Sequence, residues 1–128
     1  MNKPASHEHA AVNDAAPYED LALYIDGEFV KGGGRKEQAV TNPATGDVIG
    51  QLPHASKEDL DRALAAAARA FETWKHSSPL ERAKILRKVA ELSRERADDI
   101  GRNITMDMGK PKAEAVLEVI SCADHCDW

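Results

Sequence analysis

Val40-Thr41-Asn42-Pro43-Ala44-Thr45-Gly46-Asp47-Val48-Ile49-Gly50 is a tight turn set between two short apolar runs, and the chain beyond it reads as helix. Pro43 fixes its own φ and keeps Asn42 out of the helical region, while Gly46 can take the positive φ that closes such a turn. The flanking runs, Ala39 to Thr41 and Val48 to Leu52, are then the arms of a hairpin. Upstream, Leu23-Tyr24-Ile25-Asp26-Gly27-Glu28-Phe29-Val30 reads as another hairpin, because Asp-Gly between β-formers is a strong type I′ turn signal. Lys31 to Gln38 lies between the two and holds Gly32-Gly33-Gly34. Three glycines invite a phosphate-loop reading, but no Lys-Ser/Thr follows and no strand leads into a helix, so a flexible loop is expected.

Three or four helices follow. Ser56 caps the first, with Asp59 at the reciprocal position of a capping box. Leu60, Ala63, Leu64, Ala67, Phe71 and Trp74 fall on one stripe at helical spacing, expected to pack into a core, with Arg62, Arg69, Glu72 and Lys75 off it. The alanines at 65 to 68 would admit a close neighbour. Ser78-Pro79-Leu80-Glu81 opens a second helix with an N-cap, Pro at N1 and Glu at N3. Its broad apolar face (Ala83, Ile85, Leu86, Val89, Ala90, Leu92) predicts good burial, and its basic residues alternate with Glu81, Glu91 and Glu95 as an ion-paired surface. Ala97 to Met108 forms a third helix, with Asp98-Asp99 complementing the dipole at its start and a left-handed Gly109 at its end. Pro111 then stands at N1 of a last helix with Ala113, Val116, Leu117, Ile120 and Ala123 inward, running in mid-pattern to Trp128, as in a truncated chain.

The 128 residues suit one domain or part of one, and 42% hydrophobic with 30% charged residues is a globular composition. Residues 1–21 lack any period and read as a disordered leader; up to Asp20, Lys3 against Glu8, Asp14, Glu19 and Asp20 leaves them -3 of the net -5. His7 and His9 have nothing nearby to complete a metal site. The acidic balance argues against a nucleic-acid partner, and no apolar run approaches the roughly 20 residues that span a bilayer. With Cys122 and Cys126 as the only cysteines and no secretory signal, a cytoplasmic address is expected. Those two share a helical face beside His125. Structural zinc would need a second ligand pair, and a Cys–His nucleophile is usually assembled from distant segments, so small, partly buried side chains are the expected reading. No GxGxxG, Walker, Gly-x-Ser-x-Gly or His-Glu-x-x-His motif is present.

The order of these elements resembles the N-terminal part of the aldehyde dehydrogenase superfamily over residues 22–128. The landmarks are the Tyr24–Val30 hairpin, Thr41-Asn42-Pro43-Ala44-Thr45-Gly46-Asp47-Val48-Ile49-Gly50, and the helix ending Ala70-Phe71-x-x-Trp74. Pro79-x-x-Arg82-x-x-Ile85-Leu86, Asp107-Met108-Gly109-Lys110-Pro111 and Glu114-x-x-x-Glu118-Val119 complete them. The resemblance implies an α/β fold with a Rossmann-type cofactor domain in the full protein, of which this chain would supply two β-hairpins and three or four α-helices. It implies NAD- or NADP-dependent oxidation of an aldehyde to a carboxylic acid by a full-length homo-oligomer, through a cysteine nucleophile and a water-activating glutamate. Those residues and the cofactor's glycine turn would lie beyond Trp128; Cys122 and Cys126 do not match the nucleophile motif, so no catalytic or cofactor-binding residue is assigned here. Several family members hold a monovalent cation, whose ligands match the Val40 backbone oxygen and Asp107, oxygen donors that suit a hard cation; the alternative for Asp107 is a helix-end residue bonding local backbone. The turn and the Gly109-Lys110-Pro111-x-x-Glu114 stretch look most like succinate-semialdehyde dehydrogenases, and Lys112 departs from the apolar or aromatic residue usual after Gly-Lys-Pro.

Two functions follow from different classes. The chain is a piece of such an enzyme, inactive alone, or a non-enzymatic helical module docking through Leu86, Val89, Leu92, Leu117 and Ile120. Either way the unpaired hairpin edges and broad helix faces predict a loosely packed isolated chain.

Overall fold

A computed structural model describes Tyr18 and residues 20–128. His7, His9 and most of the expected leader lie outside the described residues. Two antiparallel hairpins precede four helices, in the expected order.

The first hairpin joins β1 (Leu23–Ile25) to β2 (Glu28–Val30). Asp26 and Gly27 have φ of 56° and 84°, the paired left-handed residues of a type I′ turn. Tyr24 and Phe29 are cross-strand partners, with ring centroids 5.0 Å apart on the exposed face, while Ile25 points the other way and is buried. The second hairpin joins β3 (Glu37–Thr41) to β4 (Val48–Pro53). Its strands begin and end further out than the apolar runs, because Glu37 and Gln38 pair with Pro53 and Leu52. The ladder, not the polarity of those residues, decides their conformation. In the turn, Asn42 Oδ1 accepts from Ala44 N at 2.9 Å, and Gly46, at φ 80°, donates its N–H to Asn42 O at 2.8 Å.

Helix α1 (Lys57–Trp74) and α2 (Pro79–Glu95) each start with a complete capping box, Ser56 with Asp59 and Ser78 with Glu81. Helix α3 (Ala97–Met108) ends on Gly109 at φ 76°, a conformation that costs a side-chain-bearing residue about 1–2 kcal/mol. Helix α4 spans Lys112–Asp127; Pro111 is its N-cap, one position earlier than expected, since its ψ of 132° is extended. Lys112 reaches back to Asp98 at 2.9 Å, so the cation at this unusual position is paired between α4 and α3.

Packing departs from the periodicity. Helix α4 lies against α2 and α3, and the buried residues there are Ala90, Ala97, Gly101, Ala115, Val119 and Ala123. The α1 stripe is not a core: Leu64 is 62% and Phe71 58% exposed, and of the alanines at 65 to 68 only Ala66 is half-buried. Two exposed ion pairs mark the face of α1 that is covered. Arg69 binds Asp26 at 2.7 Å and Arg62 faces Glu28 at 3.6 Å, so the polar side of α1 meets the first hairpin and the apolar side is left open. Helix α2 is likewise less buried than its breadth predicts, with Leu80, Ile85, Leu86 and Val89 exposed.

Candidate functional site

The turn after β3 and the end of α3 meet. A Cβ added to Gly109 would come within 3.1 Å of Pro43 Cγ, so the glycine that stops α3 is also the surface on which the turn rests. Val40 lies three residues before Pro43 and Asp107 two before Gly109, so the two residues expected as cation ligands belong to the two elements joined there. Val40 pairs with Gly50 and Thr41 with Val48, which makes Ile49 the extra residue of a bulge beside Val40. Bulges re-aim backbone groups at sheet edges and next to sites.

Tyr18 closes this junction. A Cβ on Gly50 would come within 3.1 Å of Tyr18 Cδ1 and 3.7 Å of Leu21 Cδ1, so only glycine opposite Val40 admits the ring. Burial first, and then the neighbouring Asp107 carboxylate, raise the Tyr18 phenol above its ordinary pKa. Tyr18 thus packs on the strand that pairs with Val40, within electrostatic reach of Asp107. Nothing in the aperiodic stretch around residue 18 signals this. Asp107 itself is exposed and Val40 half-buried. Alongside runs a cleft of about 360 Å³ lined by Tyr18, Leu21, Lys31, Glu37 and Pro53, with Lys31 paired to Asp20 at its rim.

The strongest polar construction lies elsewhere. Arg35 grips Asp59 with two bonds, Nε to Oδ2 at 2.9 Å and Nη2 to Oδ1 at 2.7 Å. Oδ2 also accepts from Ser56 N at 2.9 Å, and Asp59 is only 3% exposed. Arg35, the Ser56 backbone and its hydroxyl together hold the Asp59 carboxyl well below the usual carboxylate range. Arg35 Nη1 also donates to Gly32 O, which folds the triple-glycine loop around the guanidinium. The loop is therefore a clasp on the start of α1, built for an arginine and not for a phosphate. Sequence reasoning found the Asp59 cap but not its partner 24 residues away.

On α4, Cys122 is exposed and Cys126 half-buried, and both are free. Among the described residues no group of three or more His, Cys, Asp or Glu is arranged to hold a metal ion. Nor is any helix among them long and apolar enough to cross a membrane. The described strands pair only as antiparallel hairpins, and no strand–glycine loop–helix unit offers a dinucleotide its pyrophosphate cradle.

Comparison with known proteins defines the class of fold. The family model for the aldehyde dehydrogenase family matches residues 29–128. Succinate-semialdehyde dehydrogenase [NADP(+)] 2 of Schizosaccharomyces pombe is 34% identical over 105 residues, covering 82% of this chain and 21% of that protein. Malonate-semialdehyde dehydrogenase 1 of Geobacillus thermodenitrificans is 41% identical over 107 residues, covering 81% of this chain and 22% of that one. The crystal structure of lactaldehyde dehydrogenase from Escherichia coli superposes with a TM-score of 0.80 at 40% identity, over 84% of this chain and 23% of that chain. This chain belongs to the aldehyde dehydrogenase family. It spans about a fifth of the length of the curated relatives it matches.

Proposed function

We propose that this chain is the N-terminal part of an NAD- or NADP-dependent enzyme that oxidises an aldehyde, specifically a semialdehyde, to the carboxylic acid. The family match over residues 29–128, with semialdehyde dehydrogenases among the relatives, carries the reading. The described residues do not fit a dinucleotide, so no step through the cofactor is assigned to them. By itself the chain is inactive, and the whole protein is a cytoplasmic homo-oligomer. Mixing the purified chain with NAD or NADP and a panel of aldehydes, succinate semialdehyde included, gives no rise at the reduced-nicotinamide absorbance band. Turnover above a protein-free control refutes inactivity. The coding sequence past the Trp128 codon tests the rest: an open frame carrying a cysteine active-site motif is expected.

The same reading makes the Val40 carbonyl and the Asp107 carboxylate ligands of a monovalent cation, held between the bulged hairpin and the end of α3. The contact of Pro43 with Gly109 and the position of Tyr18 support it. Potassium or sodium in place of choline should slow amide exchange in residues 40–50, and Asp107→Asn should abolish the difference. Identical exchange in all three salts would retire the site.

A second reading, a helical module that docks on a full-length subunit, is favoured by the exposure of Leu86, Val89 and Leu117. Leu92 and Ile120 of the same expected face are half-buried, which narrows the patch. Co-purification with a full-length subunit supports this reading, and a lone aggregating chain opposes it.

A further inference from the structure

Cys122 and Cys126 are free thiols one turn apart on α4. Side chains four residues apart on a helix have Cβ atoms about 5–6 Å from each other. A disulfide needs that distance to be about 3.5–4.5 Å, so the pair does not close on itself while α4 stays helical. Two sulfurs spaced this way can share one soft atom between them, because thiolates favour soft, polarisable centres. The neighbouring donors are otherwise engaged. Arg94 holds Asp124 at 2.7 Å and Asp127 at 2.6 Å. His125 Nδ1 lies 2.6 Å from the Ser121 carbonyl oxygen, folded back on its own helix. A four-ligand zinc centre has no basis in this arrangement, whereas a two-sulfur site needs nothing further.

We propose that Cys122 and Cys126 form a two-thiolate chelate for a soft thiophilic centre, the class of trivalent arsenicals and two-coordinate soft metal ions. With phenylarsine oxide the two S–H bonds and the arsenic–oxygen bonding are exchanged for two As–S bonds. The oxygen leaves as water, carrying both thiol protons, and arsenic stays trivalent. The site is independent of the dehydrogenase reading.

The test is titration of the reduced chain with phenylarsine oxide, followed by intact-mass spectrometry and thiol counting. One arsenical bound and two thiols consumed per chain is expected. Cys122→Ser and Cys126→Ser should each weaken binding by about 10²-fold or more, the usual gain from linking two contacts. The decisive variant combines Ser121→Cys with Cys122→Ser. It keeps two thiols but sets them five residues apart, about 140° around the helix. It should bind as weakly as the single variants while circular dichroism shows the helices retained. Two arsenicals per wild-type chain, or wild-type affinity in the shifted pair, would overturn the proposal.

Discussion

The two halves of this molecule are held together by different mixtures of packing and charge. In α2–α4 the buried contacts are made by small side chains, Gly101 against Val116 with Ala90, Ala97, Ala115 and Ala123, while the ion pairs Arg94–Asp124 and Lys112–Asp98 lie at the surface. In the hairpins and α1 the contacts are made by charge, through Arg35–Asp59, Arg69–Asp26 and Arg62–Glu28. Alanine and glycine let backbones approach closely, but each removes little apolar area from water at about 25 cal/mol per Å². Ion pairs position an element and bury almost none. The outcome is shared. Phe71 and Trp74 on α1, Ile85 and Leu86 on α2, and the Tyr24–Phe29 pair all stay exposed, and no large side chain among the described residues is fully buried. Local geometry is specified in both halves, while large apolar side chains in each stay exposed.

The sharpest way to break the comparison is to remove a charge. Asp59→Ala leaves Arg35 without its partner near the start of α1, and burying an unpaired charge is costly. Proteolysis in the triple-glycine loop should rise by roughly a hundredfold, with cleavage in α2–α4 unchanged. Equal acceleration in both halves would show that they open as one unit. Next in size is Gly101→Ala. The new Cβ would meet Val116 Cγ2 at 2.6 Å, and also Val116 N at 3.0 Å, which a rotamer change cannot move. Overpacking of about 1–3 kcal/mol outweighs the helix-propensity gain of about 1 kcal/mol. Amide exchange in α3 and α4 should therefore quicken while α1 is unaffected. Adding Val116→Ala should recover only the side-chain part.

Acid separates the halves more gently. Asp59 is a carboxyl whose folded pKa is lowered, so its stabilisation is fully present above the ordinary carboxylate value of 3.8 and lost as pH falls from there through the folded pKa. Loop protection should hold at neutral pH and decline below about pH 4. Arg35→Lys, which keeps the charge but loses the two-pronged bond, should leave the onset near pH 4 in place but make the acid-sensitive loss smaller and complete at a higher pH. An unchanged profile would mean that the Ser56 backbone alone holds the carboxylate.

What was legible in the chain follows the range of each interaction. The Asp26-Gly27 turn, the Asn42–Gly46 turn, both capping boxes and the Gly109 stop rest on backbone chemistry within a few residues, and the structure forms all of them. Arg35–Asp59 and Tyr18 on Gly50 span 24 and 32 positions and carry no local signature. Periodicity reported which face of α1 is apolar but not what lies against it, and the first hairpin meets the other face. Val40 and Asp107 stood out through family resemblance and not through chain spacing; what the structure brings together is Pro43 and Gly109, a few residues from each.

The smallest effect asks whether the charged clasp stiffens its own helix start. Both boxes have the same hardware: Ser56 Oγ accepts from Asp59 N, and Ser78 Oγ accepts from Glu81 N, each at 3.2 Å. Glu81 Oε2 takes Ser78 N at 2.8 Å, and Glu81 is exposed to water. Asp59 is also fixed by Arg35. Replacing Ser78 by Ala should cost the first turn of α2 about 1 kcal/mol of local opening. Replacing Ser56 by Ala should cost α1 less, about 0.5 kcal/mol, because the clasp still pins the N3 carboxylate over the orphan Ser56 N–H. Site-resolved amide exchange reads both. If the two serines lose the same amount, Arg35 secures the loop to the helix without bracing the cap, and the two halves begin their helices on equal terms.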